Sequence, residues 1–273
     1  MPVINTNTSA QYAQDALKVN SKVMSTAMQQ LATGNRINQA RDDAAGLSIS
    51  QNMTSQVRGL NQASRNVTDG INLLQTADGA LVETSNMLQR MRELAVQSAN
   101  GTNSTSQRTY LNREFTSLTD EITRIAGNTQ WNNASVFGTT AAANTLIFQA
   151  GINSGQTISV VISAMDATNL GIAAAAITGF TSASTAIGLL DTAIDTVNST
   201  RSSMGATMNQ LSYSADNMVN ISTNIAASRS TILDTDYATA SSQLSRTQII
   251  QQAATAMLAQ ANQQPQSVLA LLK

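Results

Sequence analysis

Apolar residues recur at alternating spacings of three and four along five stretches of the chain, the pattern of helices that pack on other helices. These stretches are residues 10–31, 57–95, 111–125, 187–232 and 250–271. Helix-stop or turn residues follow the first three, at Gly34, Asn100-Gly101 and Gly127-Asn128. Asp234-Thr235-Asp236 separates the last two. We therefore predict five helices, the second of which, at about 40 residues, would be about 60 Å long.

The middle of the chain has a different pattern. Residues 146–150 and 157–162 are short runs rich in β-branched and apolar residues, and Asn153-Ser154-Gly155 lies between them. This combination is typical of a β-hairpin. Gly171 to Thr185 is rich in Ala, Thr and Ser, and we expect a loop there. The predicted fold class is mainly α, a long coiled-coil-like helical bundle with a small β-hairpin near residues 146–162.

The stretch from Thr247 to Leu272 carries no charged residue, yet Gln and Asn are spread through it. Each amide would need a partner in lipid, so we expect no membrane insertion. An apolar seam on an uncharged chain end instead favours burial in an assembly, and we predict that both ends polymerise. The predicted polymerisation seam consists of Leu17, Met24, Leu31, Ile250, Ala254, Met257, Ala261, Val268 and Leu271. Such narrow seams bury little apolar area, so we expect the ends to order only when they pack on neighbours.

Composition excludes several classes of function. The chain has no Cys and no His, which removes disulfides, Cys nucleophiles and His-based general bases. The net charge of −1 gives no field that favours nucleic acid. Asp42-Asp43 could bind a metal, but no other ligands cluster nearby in the sequence, and a helix N-cap is the better interpretation. We expect no enzyme activity, no cofactor and no metal site. A basic, apolar secretory signal is also missing, so export would need another route.

Long motifs at both ends resemble one family. They include TGNRINQARDDAAGLSIS from Thr33, GLNQASRNVTDGINLLQTADGAL from Gly59, LQRMRELAVQSANGTNS from Leu88 and AMLAQANQQPQSVLALL from Ala256. In this order they resemble bacterial flagellin, in a short form without the large variable outer domains. Trp131-Asn132-Asn133 lies where the family usually has Phe-Asn-Gly, and this puts the local turn in doubt.

The resemblance implies a structural subunit that polymerises into the helical flagellar filament used for swimming motility. Residues 1–41 and 236–273 would form a terminal inner layer, and residues 42–235 a helical core layer outside it. The implied partners are other copies of the chain, the flagellar cap and hook-junction proteins, the type III export machinery and a secretion chaperone. The implied location is outside the bacterium, in the flagellum. A hook–filament junction protein of the same apparatus is the alternative.

The resemblance also implies recognition by a vertebrate innate immune receptor. The family's contact positions match Arg90, Leu94 and Glu114. Arg90 would make a forked hydrogen bond, and Leu94 would fill a shallow apolar pocket on the receptor. Assembly alone is the competing interpretation of this helix face.

Overall fold

A computed structural model describes residues 6–138 and 143–270 of the chain, with the side chains of residues 264–270 left undescribed. The described part contains five helices: α1 (Thr8–Thr33), α2 (Ala44–Ser98), α3 (Thr105–Asn128), α4 (Phe180–Leu233) and α5 (Tyr237–Ala270). Two strand pairs lie between α3 and α4: β1 (Gln130–Trp131) with β2 (Ala134–Ser135), and β3 (Asn144–Gln149) with β4 (Thr157–Ile162). The mainly helical fold class with a small hairpin is confirmed.

The helix ends follow from capping chemistry. Asn7 Oδ1 accepts a 3.0 Å hydrogen bond from the Ala10 N–H at the start of α1. Gly34 ends that helix with φ of 72°, a left-handed conformation that glycine adopts without strain. Asp43 Oδ1 accepts from the Gly46 N–H at 2.8 Å, which confirms the predicted N-cap role at the start of α2. Ser104 and Gln107 form a reciprocal capping box on α3.

The helices begin ahead of their apolar ladders; α5, for example, begins at Tyr237, whereas its ladder starts at Ile250. The starts of α2 and α4 show the cause. α2 begins at Ala44, ahead of the apolar pattern that starts at Val57, and the buried residues of its first turns include the small Ser50. α4 begins at Phe180, so the expectation of a loop up to Thr185 is wrong. At the starts of α2 and α4, small residues face the protein interior. Because small residues do not form an apolar pattern, the sequence does not indicate a helix there.

Contacts divide the chain into two compact units. The first contains residues 1–57 and 223–273, and the second contains residues 58–222. This division differs from the predicted layers, which describe a polymer rather than a single chain. The layer boundaries at residues 41 and 236 therefore stay a prediction.

The second unit is held by an apolar core between α2, α3 and α4. Leu74, Leu81, Leu88, Phe115, Leu190, Val197 and Met204 are completely buried. Ion pairs cross from α2 to α4 at the edge of this core, with Arg201 Nε 2.7 Å from Asp78 Oδ1 and Arg92 Nε 2.6 Å from Asp191 Oδ1. Because the residue numbers of the partners run in opposite directions, α2 and α4 are antiparallel.

The predicted hairpin is confirmed as β3 and β4, an antiparallel pair in which Leu146 lies opposite Val160. It packs directly on α2 at a position where the helix has no side chain. A Cβ at Gly70 would lie 2.8 Å from Phe148 Cδ1, closer than two carbon atoms can approach without a shift. A side chain at this position would therefore displace the ring of Phe148, so close packing, and not the backbone angles, favours glycine here.

The turn that departs from the family pattern keeps a regular geometry. Asn132 and Asn133 have φ of 49° and 64°, and they connect the two-residue strands β1 and β2. Two consecutive left-handed residues are the signature of a type I′ hairpin turn, and asparagine tolerates this conformation. The replacement of glycine by Asn133 therefore preserves the turn.

Candidate assembly surface

The two terminal helices pair within one chain. Asn7 Nδ2 donates to the backbone carbonyl of Ala261 at 2.9 Å, and Asn20 Nδ2 donates to that of Thr247 at 2.7 Å. The partners again run in opposite directions, so α1 and α5 form an antiparallel pair. Each terminal helix thus has a packing partner in its own chain.

On α1, the predicted seam is the face that packs. Its rungs are all buried or half-buried, namely Ala10, Ala13, Leu17, Asn20, Met24, Ala27 and Leu31. The structure thus places three of the predicted polymerisation residues, Leu17, Met24 and Leu31, along the side of α1 that contacts α5. Most of the other rungs are alanine, so this contact is close but buries little apolar area.

On α5, the predicted seam divides between two faces. Ala254 and Ala261 are half-buried and belong to the same face as the buried Ala240 and Thr247. Ile250 and Met257 are 44% and 66% exposed. The face that packs on α1 keeps Ala254 and Ala261 from the apolar ladder but has Gln251 and Leu258 in place of Ile250 and Met257. Thr247 continues this face toward the start of the helix. The side chain of Val268 and all of Leu271 lie outside the described residues.

The exposed apolar residues of α5 form a surface of their own, here called the outer α5 stripe and defined as Ile249, Ile250 and Met257. Ile249 is 65% exposed, and a shallow groove beside it is lined by Ser242, Ser245 and Arg246. Tyr12 and Val19, 78% and 64% exposed, lie one heptad apart on α1. Large apolar side chains that face solvent on a single chain mark an interaction surface.

Charge is sparse on this helix pair. Within Thr8–Thr33 and Tyr237–Ala270 the only charged residues are Asp15, Lys18, Lys22 and Arg246. Exposed Gln248 and Gln252 lie on a third face of α5, away from both the α1 contact and the outer α5 stripe. The helix pair therefore presents apolar and uncharged polar surfaces side by side.

A turn contact joins the ends of α1 and α4. The Arg36 side chain donates through Nε and Nη2 to the carbonyl of Ile232, at 3.2 and 2.6 Å. The Arg36 N–H also donates to the carbonyl of Leu233 at 2.6 Å. These bonds satisfy carbonyls at the C-terminal end of α4 that have no partner within the helix. Sequence reasoning missed this contact, since an isolated Arg in a turn carries no pattern.

The predicted receptor contacts differ in exposure: Arg90 and Glu114 lie at the surface, whereas Leu94 is buried. Arg90 Nε donates to Glu114 Oε1 at 3.0 Å and Arg90 Nη1 donates to Glu93 Oε2 at 3.0 Å. Hydrogen bonds to Glu93 and then Glu114 hold the pKa of Arg90 above its ordinary value. Leu94, by contrast, is 1% exposed. The expectation that the Leu94 side chain fills a pocket on another protein is therefore wrong, because that side chain belongs to the core of the second unit.

The described residues were also compared with the requirements of a metal site and of a membrane span. Residues 6–138 and 143–270 contain no group of three acidic side chains placed to hold a metal ion. Over the same ranges, every helix falls short of the length and apolarity that a membrane span requires.

Comparison with known families decides the identity of this arrangement. Residues 4–142 match the bacterial flagellin N-terminal helical region, and residues 187–272 match the bacterial flagellin C-terminal helical region. The chain belongs to the bacterial flagellin family. It is a structural subunit of the helical flagellar filament that drives swimming, and the hook–filament junction alternative gains no support from these matches.

Individual relatives agree. The chain is 46% identical to a flagellin of Halalkalibacterium halodurans over 273 residues, which cover 99% of this chain and all of the relative. A crystal structure of Bacillus cereus flagellin matches with a TM-score of 0.52 and 38% identity, covering 60% of this chain and 94% of that one. The structure of a putative flagellar hook-associated protein from Vibrio parahaemolyticus, 16% identical with a TM-score of 0.59 over 70% of this chain and 99% of that one, shares the fold alone.

Proposed function

We propose that this flagellin polymerises through the surfaces that α1 and α5 leave uncovered after they pair with each other. The helix pair, within residues 1–41 and 236–273, forms the inner layer of the filament, and residues 42–235 form the layer outside it. The observation that supports this most directly is the outer α5 stripe, with Ile249 65% and Met257 66% exposed. Neighbouring subunits cover this stripe and the Tyr12–Val19 face of α1.

The predicted polymerisation seam then has two roles. Leu17, Met24, Leu31, Ala254 and Ala261 hold α1 against α5 within a subunit. Ile250 and Met257, together with Val268 and Leu271 beyond the described side chains, contact other subunits. For the residues whose side chains are described, burial supports this division, because a half-buried residue in the helix pair has less area left to bury in the polymer. Val268 and Leu271 are assigned from the apolar ladder alone.

The Gln face of α5 has a separate role in the proposal. Gln248 and Gln252 line the central channel of the filament, where uncharged amides offer no fixed charge to hold a passing chain of either sign. The subunit leaves the cell through the type III export machinery, with a secretion chaperone, and is placed on the growing filament beneath the cap protein. At the base of the filament it contacts the hook-junction proteins.

Substitution of Met257 tests the assembly surface. Met257→Gln keeps the length of the side chain and the helix propensity while removing the apolar contact. Because burial of a Met side chain contributes about 1.5–3 kcal/mol, the concentration needed for polymerisation should rise about tenfold or more. Far-UV circular dichroism of the monomer should not change, since the Met257 side chain is 66% exposed.

Gln252→Ser is the matched control, because it alters an exposed residue of the same helix on the Gln face. It should polymerise at the wild-type concentration. The assignment of the stripe to subunit contacts fails if Met257→Gln polymerises as readily as the control.

A second partner is proposed for the soluble subunit. An innate immune receptor of vertebrates engages the exposed edge of α2 and α3 through Arg90 and Glu114, whose side chains are 50% and 45% exposed. A receptor carboxylate or carbonyl would compete with Glu93 and Glu114 for the guanidinium of Arg90. Leu94 acts beneath this surface by holding the backbone of α2 in place.

A further inference from the structure

The turn between α2 and α3 carries a chemically distinctive pair of residues. Asn100 and Gly101 form the only Asn-Gly dipeptide of the sequence, and both are exposed. The pair lies outside the helices, after α2 ends at Ser98 and before α3 begins at Thr105. A Cβ at Gly101 would meet nothing within 4 Å, so no other part of the described structure crowds this residue on that side.

We infer that Asn100 is a site of spontaneous deamidation, a modification that takes water as its only co-reactant. The Gly101 backbone nitrogen loses its proton and attacks Cγ of Asn100, forming a C–N bond. The C–N bond to the side-chain amide then breaks, and ammonia leaves with the proton it needs. The resulting five-membered imide is opened by one water molecule at either carbonyl, which gives aspartate or isoaspartate at position 100.

The fold polarises both reacting groups. The Thr102 N–H donates to Asn100 Oδ1 at 3.2 Å, and this is the oxygen on which negative charge develops when Cγ is attacked. The Asn100 backbone carbonyl accepts from Arg108 Nη2 at 3.1 Å and from the Asn103 N–H at 3.2 Å. Two donors on this carbonyl, one of them charged, draw electrons from the Asn100–Gly101 peptide and make the Gly101 N–H more acidic.

The attacking nitrogen is also free to react. Among the residues that the structure describes, the Gly101 N–H donates no hydrogen bond. The two Asp-Gly pairs of the chain differ in this respect, because Gly70 and Gly79 lie inside α2, where their N–H groups belong to the helix ladder. An attack there would break the helix, whereas an attack in the turn would not.

A neighbouring asparagine, Asn103, is expected to resist the same deamidation reaction. Asn103 lies in the same turn but is followed by Ser104, whose Cβ crowds the approach of its nitrogen. The Asn103 side-chain amide donates to the carbonyl of Gln97 at 2.5 Å, which holds it away from the Ser104 nitrogen. Asn103 is therefore a matched internal control for Asn100.

The product also fits its surroundings. Conversion adds one negative charge beside the Arg108 guanidinium, whose Nε is buried and without a hydrogen-bond partner in the described structure. A carboxylate at position 100 would gain a charge attraction to this guanidinium that the neutral amide of Asn100 lacks. The isoaspartate form lengthens the backbone and removes the Asn100–Thr102 hydrogen bond, so the turn changes shape and charge as the protein ages.

The test follows the folded full-length chain during incubation at neutral pH and body temperature. Peptide mass spectrometry should show loss of the amide at Asn100 before any other position, with Asn103 intact. An isoaspartyl methyltransferase with a labelled methyl donor should mark the isoaspartate product. Because the attacking nitrogen must lose a proton, the rate should rise with pH between about pH 6 and pH 9. Retention of the Asn100 amide while other asparagines convert would overturn the assignment.

Two further variants separate the chemistry from the fold. Gly101→Ala should slow the conversion about tenfold or more, equivalent to about 1.4 kcal/mol in the barrier. Arg108→Gln should slow it about threefold or more in the folded chain, and Arg108→Lys should restore part of the rate by restoring the charge. In urea the Arg108 contact is absent, so wild type and Arg108→Gln should then react equally fast. Equal rates in the folded state would show that Arg108 is not a positioning residue.

Discussion

The side-chain amide of Asn20 donates a 2.7 Å hydrogen bond to the backbone carbonyl of Thr247, and both residues are buried between α1 and α5. The neighbouring rungs Leu17 and Met24 are apolar and half-buried, so the buried amide of Asn20 depends on α5 for a hydrogen-bond acceptor. A buried asparagine favours helix alignments in which its amide meets an acceptor, because an unpaired buried amide costs free energy. The Asn20–Thr247 contact therefore stabilises the observed alignment of the terminal helix pair.

Asn20→Ala should loosen that pair. Removing the hydrogen bond should cost about 0.5–1.5 kcal/mol, and amide hydrogen exchange of α1 in the monomer should accelerate accordingly. Gln14→Ala, an exposed position on the same helix, is the control and should leave the exchange unchanged. If both variants exchange at the same rate, Asn20 contributes nothing to the pairing.

Acid should weaken the start of α5 through Asp236. This carboxylate accepts from the hydroxyl of Thr239 at 2.7 Å and from the Ala238 N–H at 2.9 Å. These bonds, led by the Thr239 hydroxyl, hold the pKa of Asp236 below its ordinary value. A lowered pKa in the folded state means that the stabilisation is complete above the pKa of the unfolded chain, near about pH 4, and is lost as pH falls through the folded value.

The measurement is the acid titration of the Ala238 and Thr239 amide signals by nuclear magnetic resonance. In the wild type these signals should shift as the cap is lost below about pH 4. Asp236→Asn keeps an acceptor oxygen but cannot titrate, so its signals should stay nearly constant over the same range. If the amide signals of the wild type and of Asp236→Asn shift equally with pH, carboxylates other than Asp236 cause the change.

The five helices and the hairpin were predictable because each has a periodic pattern and explicit stop residues such as Gly34. The starts of α2, α4 and α5 were not, since the buried positions there are small residues such as Ser50, Ala183 and Ala240. Burial of a small side chain leaves the hydrophobic pattern unchanged. The length of a helix in this fold therefore exceeds the length of its apolar ladder.

The assembly site was predictable only in part. The ladder of α1 identified the packing face, whereas that of α5 did not, because Thr247 and Gln251 occupy the contact and Ile250 and Met257 face solvent. A helix with two contact faces has two overlapping patterns of contact residues. The single apolar ladder predicted for α5 therefore combined residues from both faces. The polar rung at Asn20 was the one sequence signal of the buried hydrogen bond.

Loss of the C-terminal residues should prevent polymerisation. Deletion of residues 267–273 removes Val268, Leu269, Leu271 and Leu272 from the C-terminal end of the predicted apolar ladder. The second unit, residues 58–222, contains none of them, so its circular dichroism and thermal unfolding should be retained. Electron microscopy should show no filaments. If this truncated chain forms normal filaments, the C-terminal end is not part of the assembly surface.

Receptor recognition can be separated from core packing by two substitutions on α2. Arg90→Ala removes an exposed guanidinium, so the folded monomer should keep its stability while receptor activation weakens about tenfold or more, equivalent to about 1.4 kcal/mol. Leu94→Ala removes a side chain that is 1% exposed and should lower the free energy of unfolding by about 2–5 kcal/mol. Its effect on the receptor should then follow the loss of folded protein and disappear when signalling is compared at equal folded concentration. Thermal unfolding and a dose–response assay on reporter cells measure both quantities. If Arg90→Ala signals as strongly as the wild type, or if a fully folded Leu94→Ala loses signalling, the exposed Arg90–Glu114 edge is not the surface that the receptor binds.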